Sequence, residues 1–321
     1  MRPAKRVLVT GAGGFIGRWS VPALRRLGYE VHAVLSKTPG GGAPEQLRGA
    51  SIHVADLLQD PSLDALMGEV RPTHLLHFAW IATPGLYWDS EQNVLWAAAS
   101  ERLLLSFRDH GGRRVMMAGS CAEYDWSRVG VCDEMASPLA DESSAPVSRY
   151  AESKLALQRT LAKVGGRDHL STAWGRIFFQ FGPYEHPDRL VPSVIQNLLL
   201  NREAPCSHGR QIRSFLHVAD VGAAFAAVLD GELEGPVNIG AEDRVTVAEL
   251  VERIADQIGR PDLLRLGARP AAAREPPLLV PQVHRLRDLA HWRPRFTLDE
   301  AVSETIAWWR GRIDPDSVSR R

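Results

Sequence analysis

The sequence predicts an α/β protein with a doubly wound parallel sheet and a smaller C-terminal lobe, and two observations carry this prediction. Short runs rich in Val, Ile and Leu alternate with stretches of helical spacing over the first 177 residues. The first run stops at a cluster of glycines, where the chain turns into a helix. Strands that alternate with helices form parallel sheets through right-handed crossovers. The alternation loosens after Ile177, so the second lobe is expected mainly from the C-terminal third.

Six strands are predicted from β-branched or leucine-rich runs bounded by glycine, proline or polar residues. They cover residues 6–10, 30–35, 51–55, 73–79, 114–118 and 236–239. Helical spacing predicts the main further elements, which are helices at 15–27, 191–200, 221–229 and 246–258. Gly28 is expected to cap the end of the first helix, and Thr246 the start of the last. The Ala-, Pro- and Arg-rich stretch 265–281 is a linker or a loop over a binding site.

The composition is that of an ordinary globular protein and argues against several classes of partner. Lys plus Arg and Asp plus Glu both number 38, so the formal net charge is zero. Nucleic-acid and membrane-surface binding need a basic excess, so neither is expected. No run approaches the roughly 20 apolar residues of a membrane span, and residues 1–6 do not begin a signal peptide. Cys121, Cys132 and Cys206 lack metal-ligand spacing, so we expect no metal site. Three cysteines do not form a disulfide framework, so we expect a protein of the reducing cytoplasm.

Gly11, Gly14 and Gly17 stand between the first strand and the first helix. Glycines in such a turn let the backbone approach a pyrophosphate, which then lies at the positive end of the helix. The turn, with Phe15 and Ile16 inside it, therefore predicts a dinucleotide cofactor. The alternative is a tight strand–helix turn that binds no ligand.

The end of the second strand bears on which dinucleotide is bound. A carboxylate about 20 residues beyond the glycines would bind the ribose of NAD. Here Ser36 and Lys37 follow the strand, and Lys37 and Arg18 offer positive charge for a 2′-phosphate. We therefore expect NADP as the cofactor, with NAD as the alternative. If no 2′-phosphate is bound, Lys37 and Arg18 are ordinary solvated surface charges. Asp56 is expected to accept a hydrogen bond from the adenine amino group, or else to cap a helix.

Tyr150 and Lys154 lie one helical turn apart and so share a helix face. A phenol is a poor base near neutral pH, and a neighbouring ammonium is expected to lower the pKa of Tyr150. Such a tyrosine can pass a proton to or from a sugar or alcohol oxygen while hydride moves to or from nicotinamide. Ser120 follows the fifth strand at the carboxyl edge of the sheet, where its hydroxyl can hydrogen-bond the reacting oxygen. Taken singly, these residues are ordinary helix-face and turn residues.

The order of these motifs resembles the extended short-chain dehydrogenases/reductases, and within them the NAD-dependent epimerase/dehydratase family of nucleotide-sugar epimerases, dehydratases and ketoreductases. The resemblance covers nearly the whole chain. Besides the glycine turn, Ser120 and Tyr150-x-x-x-Lys154, it is carried by Asp56-Leu57, His77-Phe78-Ala79, Asn93, Tyr124, Arg176-Ile177-Phe178, Phe181-Gly182-Pro183, residues 209–221, Asn238-Ile239-Gly240 and Trp292-x-Pro294.

The resemblance implies a Rossmann-like cofactor domain and a substrate-binding lobe. The cofactor domain would comprise residues 1–177 and about 213–237, and the lobe residues 178–212 and 238–321. It implies that Tyr150 is the acid/base, that Lys154 binds the nicotinamide ribose and tunes Tyr150, and that Ser120 orients the reacting group. Further contacts it implies to the cofactor are Leu57, Phe78 and Ala79. Those implied to the substrate are Arg213 and Arg274 on its diphosphate, with Arg189 and Phe179 beside them.

Three departures from the family narrow the expected function. Related dehydratases carry Asp-Glu after the residue that matches Ser120, whereas this chain has Cys121-Ala122, so dehydration is not expected. Phe179 stands where many relatives have an Asn that contacts the substrate. Trp80 stands where they commonly have a small residue, and it is expected to narrow the nicotinamide side of the binding cleft.

We therefore expect hydride transfer at a sugar carbon, most simply carbon 4, of a nucleotide-activated sugar. A 4-ketoreductase is favoured, because a reductase consumes NADPH. One alternative is a 4-epimerase that keeps NAD bound. The other is a catalytically idle, NADP-sensing regulator, since fold does not determine function.

A homodimer is also expected, because two helices commonly form a four-helix dimer contact in this family. Here they would be residues 93–110 and 148–163. The second carries Leu155, Leu157 and Leu161, which is more apolar surface than one buried face requires.

Overall fold

The computed structural model of the protein describes residues 5–38, 42–59, 63–141, 147–168, 170–271 and 275–313. The helices are α1 (Gly17–Arg26), α2 (Leu63–Val70), α3 (Gln92–Asp109), α4 (Arg149–Asp168), α5 (Leu190–Leu199), α6 (Val218–Asp230), α7 (Val247–Ile258) and α8 (Leu298–Arg310). The strands are β1 (Arg6–Thr10), β2 (Glu30–Leu35), β3 (Ser51–Val54), β4 (His74–His77), β5 (Arg114–Ser120), β6 (Val131–Cys132), β7 (Ser171–Ile177), β8 (Phe179–Phe181), β9 (Ala204–Pro205), β10 (Ile212–Arg213), β11 (Phe215–His217), β12 (Gly235–Ile239), β13 (Val245–Thr246), β14 (Leu264–Arg265) and β15 (Leu278–Pro281).

Seven strands form one parallel sheet in the order β12-β7-β5-β4-β1-β2-β3. From β1 the chain first adds β2 and β3 on one side and then β4, β5, β7 and β12 on the other. The strand order therefore reverses between β1 and β4, and their carboxyl ends flank the crevice where such sheets bind ligands. The predicted doubly wound sheet is confirmed.

The sheet is buried on both faces, as its apolar strands require. On one face α1 and α6 pack through residues such as Val21, Leu24 and Phe225. On the other face α2, α3 and α4 pack against the strands through residues such as Met67 and Phe107. The helices thereby hold the carboxyl edge of the sheet in a rigid frame.

A second apolar cluster lies outside the sheet and joins α5, α7 and α8. Ile195, Leu250, Ile254 and Val302 are fully buried in it. A four-stranded sheet in the order β13-β10-β15-β6 links this cluster to the segment after β5. The predicted boundary at about residue 237 falls inside β12, which ends at Ile239 in the large sheet.

Several predicted elements differ from the structure. The strand β7 was not predicted, because Gly175 and Arg176 interrupt its apolar run, yet it lies between β5 and β12. The helix α6 begins at Val218 rather than at 221, since the His217 side chain accepts from the Ala219 N–H and caps it. The caps predicted at the other helices are present. Gly28 has a positive φ of 82° after α1, and the Thr246 side chain accepts from the Glu249 N–H.

The apolar surface predicted for a dimer contact is wrong. Leu155, Leu157 and Leu161 are each 2% exposed, because α4 packs against α3 and the sheet within one chain. The exposed large apolar residues described on this helix pair are instead Val94 and Leu95 on α3. The homodimer stays a prediction. In the described part of the chain, no helix has the length and apolar composition that crossing a membrane requires.

Candidate active site

The carboxyl ends of β1, β4 and β5 open on a cleft of about 570 Å³. Its far side is formed by segments between β7 and α5 and by β10. It brings together most of the predicted site residues. These are Gly11, Gly14, Phe15, Ile16, Gly17, Phe78, Ala79, Ser120, Tyr150, Lys154, Phe179, Arg189 and Arg213.

The glycine turn forms a cradle that has no room for side chains. Gly11 has a φ of 67°, and a Cβ built on it would lie 2.7 Å from the backbone nitrogen of Ala79. A Cβ on Gly17 would collide with the Gly11 carbonyl oxygen. The helix α1 starts here with no acid in its first turn and no side-chain cap, so its N-terminal N–H groups favour an anion. These residues fit a dinucleotide pyrophosphate.

The residues predicted to contact the adenosine end of the cofactor do not line the cleft. Leu35 at the end of β2 is close to the turn, since a Cβ on Gly13 would lie 3.0 Å from its Cδ2. Ser36 and Lys37 follow and are exposed. The Asp56 carboxylate accepts from the Leu58 N–H at 3.0 Å and forms a turn. It does not cap α2, which begins at Leu63, while Leu57 between them is buried.

The Arg18 side chain is hydrogen-bonded to the glycine turn. Its Nε donates to the Gly14 carbonyl at 2.9 Å, and its guanidinium lies 4.1 Å from the centroid of the Tyr184 ring. The side chain therefore joins the glycine turn to the second lobe. Lys37 is exposed after β2, and a contact of Arg18 or Lys37 with a 2′-phosphate stays a prediction.

The three predicted catalytic side chains come from two neighbouring elements. Ser120 ends β5 and begins the short turn that follows, while Tyr150 and Lys154 lie on the first turns of α4. Lys154 Nζ donates to the Ala118 carbonyl at 2.8 Å and lies 5.8 Å from the centroid of the Tyr150 ring. The packing of α4 on β5 thus fixes the lysine beside the tyrosine.

Burial dominates the protonation of this group. It raises the pKa of the Tyr150 phenol, although a hydrogen bond with the Ser120 side chain opposes the shift. It lowers the pKa of Lys154 to about 7, against the attraction of the Glu123 carboxylate. The predicted lowering of the Tyr150 pKa by Lys154 is therefore wrong for this structure, because burial disfavours the charged form of both groups.

A buried carboxylate behind Ser120 was missed in the sequence. The Glu123 carboxylate accepts from the Ser120 backbone N–H at 2.7 Å, from Trp174 Nε1 at 2.9 Å and from Arg176 Nε at 2.8 Å. Glu123 is fully buried and Arg176 is 1% exposed. The signal that could have found it is the Ser-x-x-Glu spacing, a capping-box pattern that the structure forms here.

This network extends across the carboxyl ends of three strands. Arg176 on β7 also donates to the Tyr124 hydroxyl at 3.2 Å, and that hydroxyl donates to Asn238 Oδ1 on β12 at 2.8 Å. Gly119 must be a glycine beside it, since a Cβ there would lie 2.5 Å from a Glu123 oxygen. The backbone around Ser120 is therefore held from inside the protein.

An aromatic wall surrounds Tyr150 on the cleft side. The rings of Tyr87 and Trp88 lie 5.0 and 5.8 Å from the Tyr150 ring, and Trp126 lies 5.9 Å from Trp88. Such edge-to-face contacts hold rings in place. The sequence showed no periodic signal for this wall, because its members come from separate loops.

Trp80 occupies the position expected to narrow the nicotinamide side. Its ring centroid lies 3.6 Å from Lys154 Nζ, which is cation–π distance. The Trp80 Nε1 donates to Asn93 Oδ1 at 2.9 Å, so α3 fixes the orientation of the ring. Trp80 therefore covers the ammonium group as well as lining the cleft.

The opposite side of the cleft carries two of the predicted arginines. Arg213 is 1% exposed, donates to Glu275 at 3.0 Å and to the Pro276 carbonyl at 2.8 Å, and lies 5.1 Å from the Phe179 ring centroid. The acid that pairs with Arg213 is thus Glu275, whose own side chain is 32% exposed. The Arg189 guanidinium lies 5.6 Å from the Tyr87 ring centroid. Arg274 lies outside the described residues.

Within the described ranges, no group of three or more His, Cys, Asp or Glu residues is placed to hold a metal ion. The thiol of Cys121 lines the cleft next to Ser120. Burial raises its pKa to about 12, so it is not a thiolate at neutral pH.

Comparison with known proteins supports one family. Residues 7–240 match the model of the NAD dependent epimerase/dehydratase family. A dTDP-glucose 4,6-dehydratase from Escherichia coli is 24% identical to the chain, over 95% of the chain and 92% of the relative.

Two solved structures are 27% identical to this chain, and each aligns with 96% of it over the whole of the other chain. One is a Thermus thermophilus UDP-glucose 4-epimerase in complex with NAD, with a TM-score of 0.77. The other is MoeE5 in complex with UDP-glucuronic acid and NAD, with a TM-score of 0.75. Dehydratases and epimerases therefore both occur among the relatives, and these two solved relatives are complexes with NAD.

Proposed function

Because the chain belongs to the NAD-dependent epimerase/dehydratase family, we propose that it moves hydride at carbon 4 of a nucleotide-activated sugar. The observation that carries the proposal is the meeting of Ser120, Tyr150 and Lys154 in one cleft between the glycine cradle and two arginines. Neither the family nor the cradle alone selects a reaction. The three side chains supply what a hydroxyl or keto group needs.

Each of the three residues has a distinct task in this proposal. The Tyr150 phenol holds the proton that leaves or joins the sugar oxygen, and burial keeps that phenol protonated. The Ser120 hydroxyl hydrogen-bonds the same oxygen and orients it. Lys154, whose ammonium group donates to the Ala118 carbonyl, binds the cofactor ribose beside the phenol. Nicotinamide, when bound, supplies or takes up the hydride.

Two features of the far side of the cleft support a nucleoside diphosphate as the handle of the substrate. Arg189 and Arg213 both line it, and guanidinium groups pair well with phosphate oxygens. The helix α5 begins directly after Arg189 without a side-chain cap, and its first residues Leu190 and Val191 line the cleft. An anion would therefore find both fixed charge and helix N–H groups.

The turn after Ser120 presents no acid to the cleft among the residues described, and this favours reduction or epimerisation over dehydration. Cys121 and Ala122 line the cleft where related dehydratases have Asp-Glu. Among the residues described, the acid of that turn is Glu123, and its carboxylate points into the protein and pairs with Arg176. Since dehydratases are among the relatives, this local geometry and not family membership supports the choice.

Between the two remaining reactions we propose a 4-ketoreductase that uses NADPH. Lys37 stands exposed after β2, and no acid follows that strand before the described segment ends. The second candidate is a 4-epimerase that retains NAD, which the 27% identical Thermus thermophilus epimerase with bound NAD favours. A regulator without activity uses the same binding cleft and stays as the non-enzymatic alternative.

One experiment separates these candidates. The purified protein is incubated with UDP- and dTDP-linked hexoses and their 4-keto derivatives, with NADPH or NAD, and products are followed by mass and NMR. A reductase oxidises NADPH in step with the loss of a keto sugar. An epimerase interconverts 4-hydroxyl isomers without net cofactor consumption, and a dehydratase yields a product lighter by one water. Absence of turnover across the panel contradicts the enzymatic proposal and leaves the regulator.

A further inference from the structure

We propose that Glu185 recognises an oxygen substituent of the substrate's sugar, acting as a neutral carboxylic acid on the far side of the cleft. The inference rests on the proposed nucleotide-sugar function and names a specificity-determining residue within it.

The backbone delivers Glu185 to the cleft through a tight turn. Tyr184 has a positive φ of 72°, and the Glu185 N–H donates to the Gly182 carbonyl at 3.3 Å. The Tyr184 ring packs against the Arg18 guanidinium of α1, which fixes the turn from outside. Glu185 then lines the cleft together with Arg189, Tyr87 and the proposed proton carrier Tyr150.

One oxygen of this carboxyl group has no hydrogen bond. Glu185 Oε2 is buried and, within the described residues, finds no partner at hydrogen-bond distance. A buried polar atom without a partner costs free energy, so native proteins rarely keep one unless something else meets it. Because the Glu185 side chain lines the cleft, a small rotation of its carboxyl group would bring this oxygen to a bound ligand, which could then satisfy it.

The surrounding charges decide which form of the acid is presented. Arg189 on the same segment attracts the carboxylate, and Tyr87 from the loop after β4 hydrogen-bonds Arg189. Burial outweighs this attraction and raises the pKa of Glu185 to about 8. At neutral pH the group is therefore mainly a carboxylic acid, which both donates and accepts hydrogen bonds.

A neutral acid matches neutral oxygen groups. A sugar hydroxyl or keto oxygen can accept from its O–H, and a hydroxyl can donate to its other oxygen. An ammonium substituent would instead need the carboxylate, which burial disfavours here. The structure thus favours a sugar that carries oxygen, and not a free amine, at the position facing Glu185.

The test compares nucleotide sugars with the same nucleotides lacking the sugar. Calorimetry gives the affinity of UDP-glucose, dTDP-glucose, UDP and dTDP for the wild type, Glu185→Ala, Glu185→Gln and the control Asp188→Ala. Asp188 lies in the same loop, and its side chain is 82% exposed. We expect Glu185→Ala to weaken the nucleotide sugar about tenfold, as for one lost hydrogen bond in a buried site, and to leave the diphosphate and NAD unchanged. Asp188→Ala should bind as the wild type does.

The pH dependence separates the neutral acid from the carboxylate. In the wild type, the affinity advantage of the nucleotide sugar over its diphosphate should fall as the pH rises past about 8, because Glu185 then ionises. In Glu185→Gln, whose amide cannot ionise, this advantage should not change with pH. An advantage that grows above pH 8 in the wild type overturns the neutral-acid assignment.

Three further outcomes overturn the proposal in distinguishable ways. If Glu185→Ala keeps the full advantage for the sugar, Glu185 does not contact it. If the variant weakens the diphosphates or NAD equally, Glu185 serves another part of the cleft. If the wild type binds neither nucleotide sugars nor nucleoside diphosphates, the proposed function fails and this inference fails with it.

Discussion

The two walls of the cleft differ in how their polar groups are satisfied. The catalytic wall consists of Ser120, Tyr150 and Lys154, and the substrate wall of Glu185, Arg189 and Arg213. On the catalytic wall the lysine donates to a strand carbonyl, and the serine backbone donates to a buried carboxylate. On the substrate wall, Glu185 Oε2 and Arg213 Nε are buried and, in the described part of the chain, have no hydrogen-bond partner.

The difference follows from how each wall is built. The catalytic wall comes from one strand end and one helix whose positions the sheet core determines. The substrate wall comes from loops and short strands that approach from the second lobe. A wall that is internally satisfied is organised for chemistry before any ligand arrives. A wall with unsatisfied buried groups is organised to bind.

The largest expected effect concerns the interior of the catalytic wall. Glu123→Gln removes the charge that pairs with buried Arg176, and an uncompensated buried charge costs about 3–5 kcal/mol of unfolding free energy. Urea unfolding measures the loss. Glu300→Gln is the control, because the exposed Glu300 forms the same capping box at the start of α8 without a buried partner, so its loss should be much smaller. Equal losses of unfolding free energy for the two variants would show that the Glu123–Arg176 pair does not stabilise the fold.

The next effect concerns the proton carrier. Tyr150→Phe should lower turnover by about a hundredfold or more, since general acid–base catalysis contributes roughly 10²–10⁴. Cofactor binding, followed by fluorescence, should remain. Tyr29→Phe is the control for the loss of a phenol elsewhere, because Tyr29 lies before β2, at the edge of the sheet opposite the carboxyl ends that form the site. Near-normal turnover in Tyr150→Phe removes Tyr150 from the chemistry.

A smaller effect is expected on the substrate wall. Arg213→Ala should weaken the binding of nucleoside diphosphates more than tenfold, because one desolvated charge-assisted contact is worth about 1.5–3 kcal/mol. NAD(P) binding should not change. Arg265→Ala is the control, since Arg265 pairs with Glu203 on the surface of the same lobe. If calorimetry gives the same affinities for the Arg213 variant and the wild type, the pair with Glu275 is its whole role.

The smallest effect concerns cofactor choice at the exposed edge of the sheet. NADPH should bind more tightly than NADH, and Lys37→Ala should reduce that preference by about two- to fivefold, as exposed ion pairs are weak. Fluorescence titration at low and high salt measures it, and salt should reduce the preference in the wild type. Lys163→Ala on the exposed face of α4 is the control. A clear preference for NADH contradicts the assignment to NADP.

Features with a local pattern could be predicted from the sequence. The spacing of Gly11, Gly14 and Gly17 predicts a cradle, and the spacing of Tyr150 and Lys154 places both on one helix face. These patterns depend on turn geometry and on the helix period, which neighbouring residues determine by themselves. The order of strands and helices likewise predicts the parallel sheet. The amphipathic helix α7 follows from its own periodicity and its Thr246 cap.

Only the tertiary structure decided which distant residues meet. Glu123 bonds Trp174 and Arg176 because β5 and β7 are neighbours in the sheet, with Gly119 opposite Arg176 in register. The same pairing leaves Glu123 buried instead of in the cleft. The leucines of α4 are buried because α3 packs on them, which no single helix pattern reveals. Contacts of this kind depend on strand order and packing across 50 or more residues of chain, so a local pattern carries no information about them.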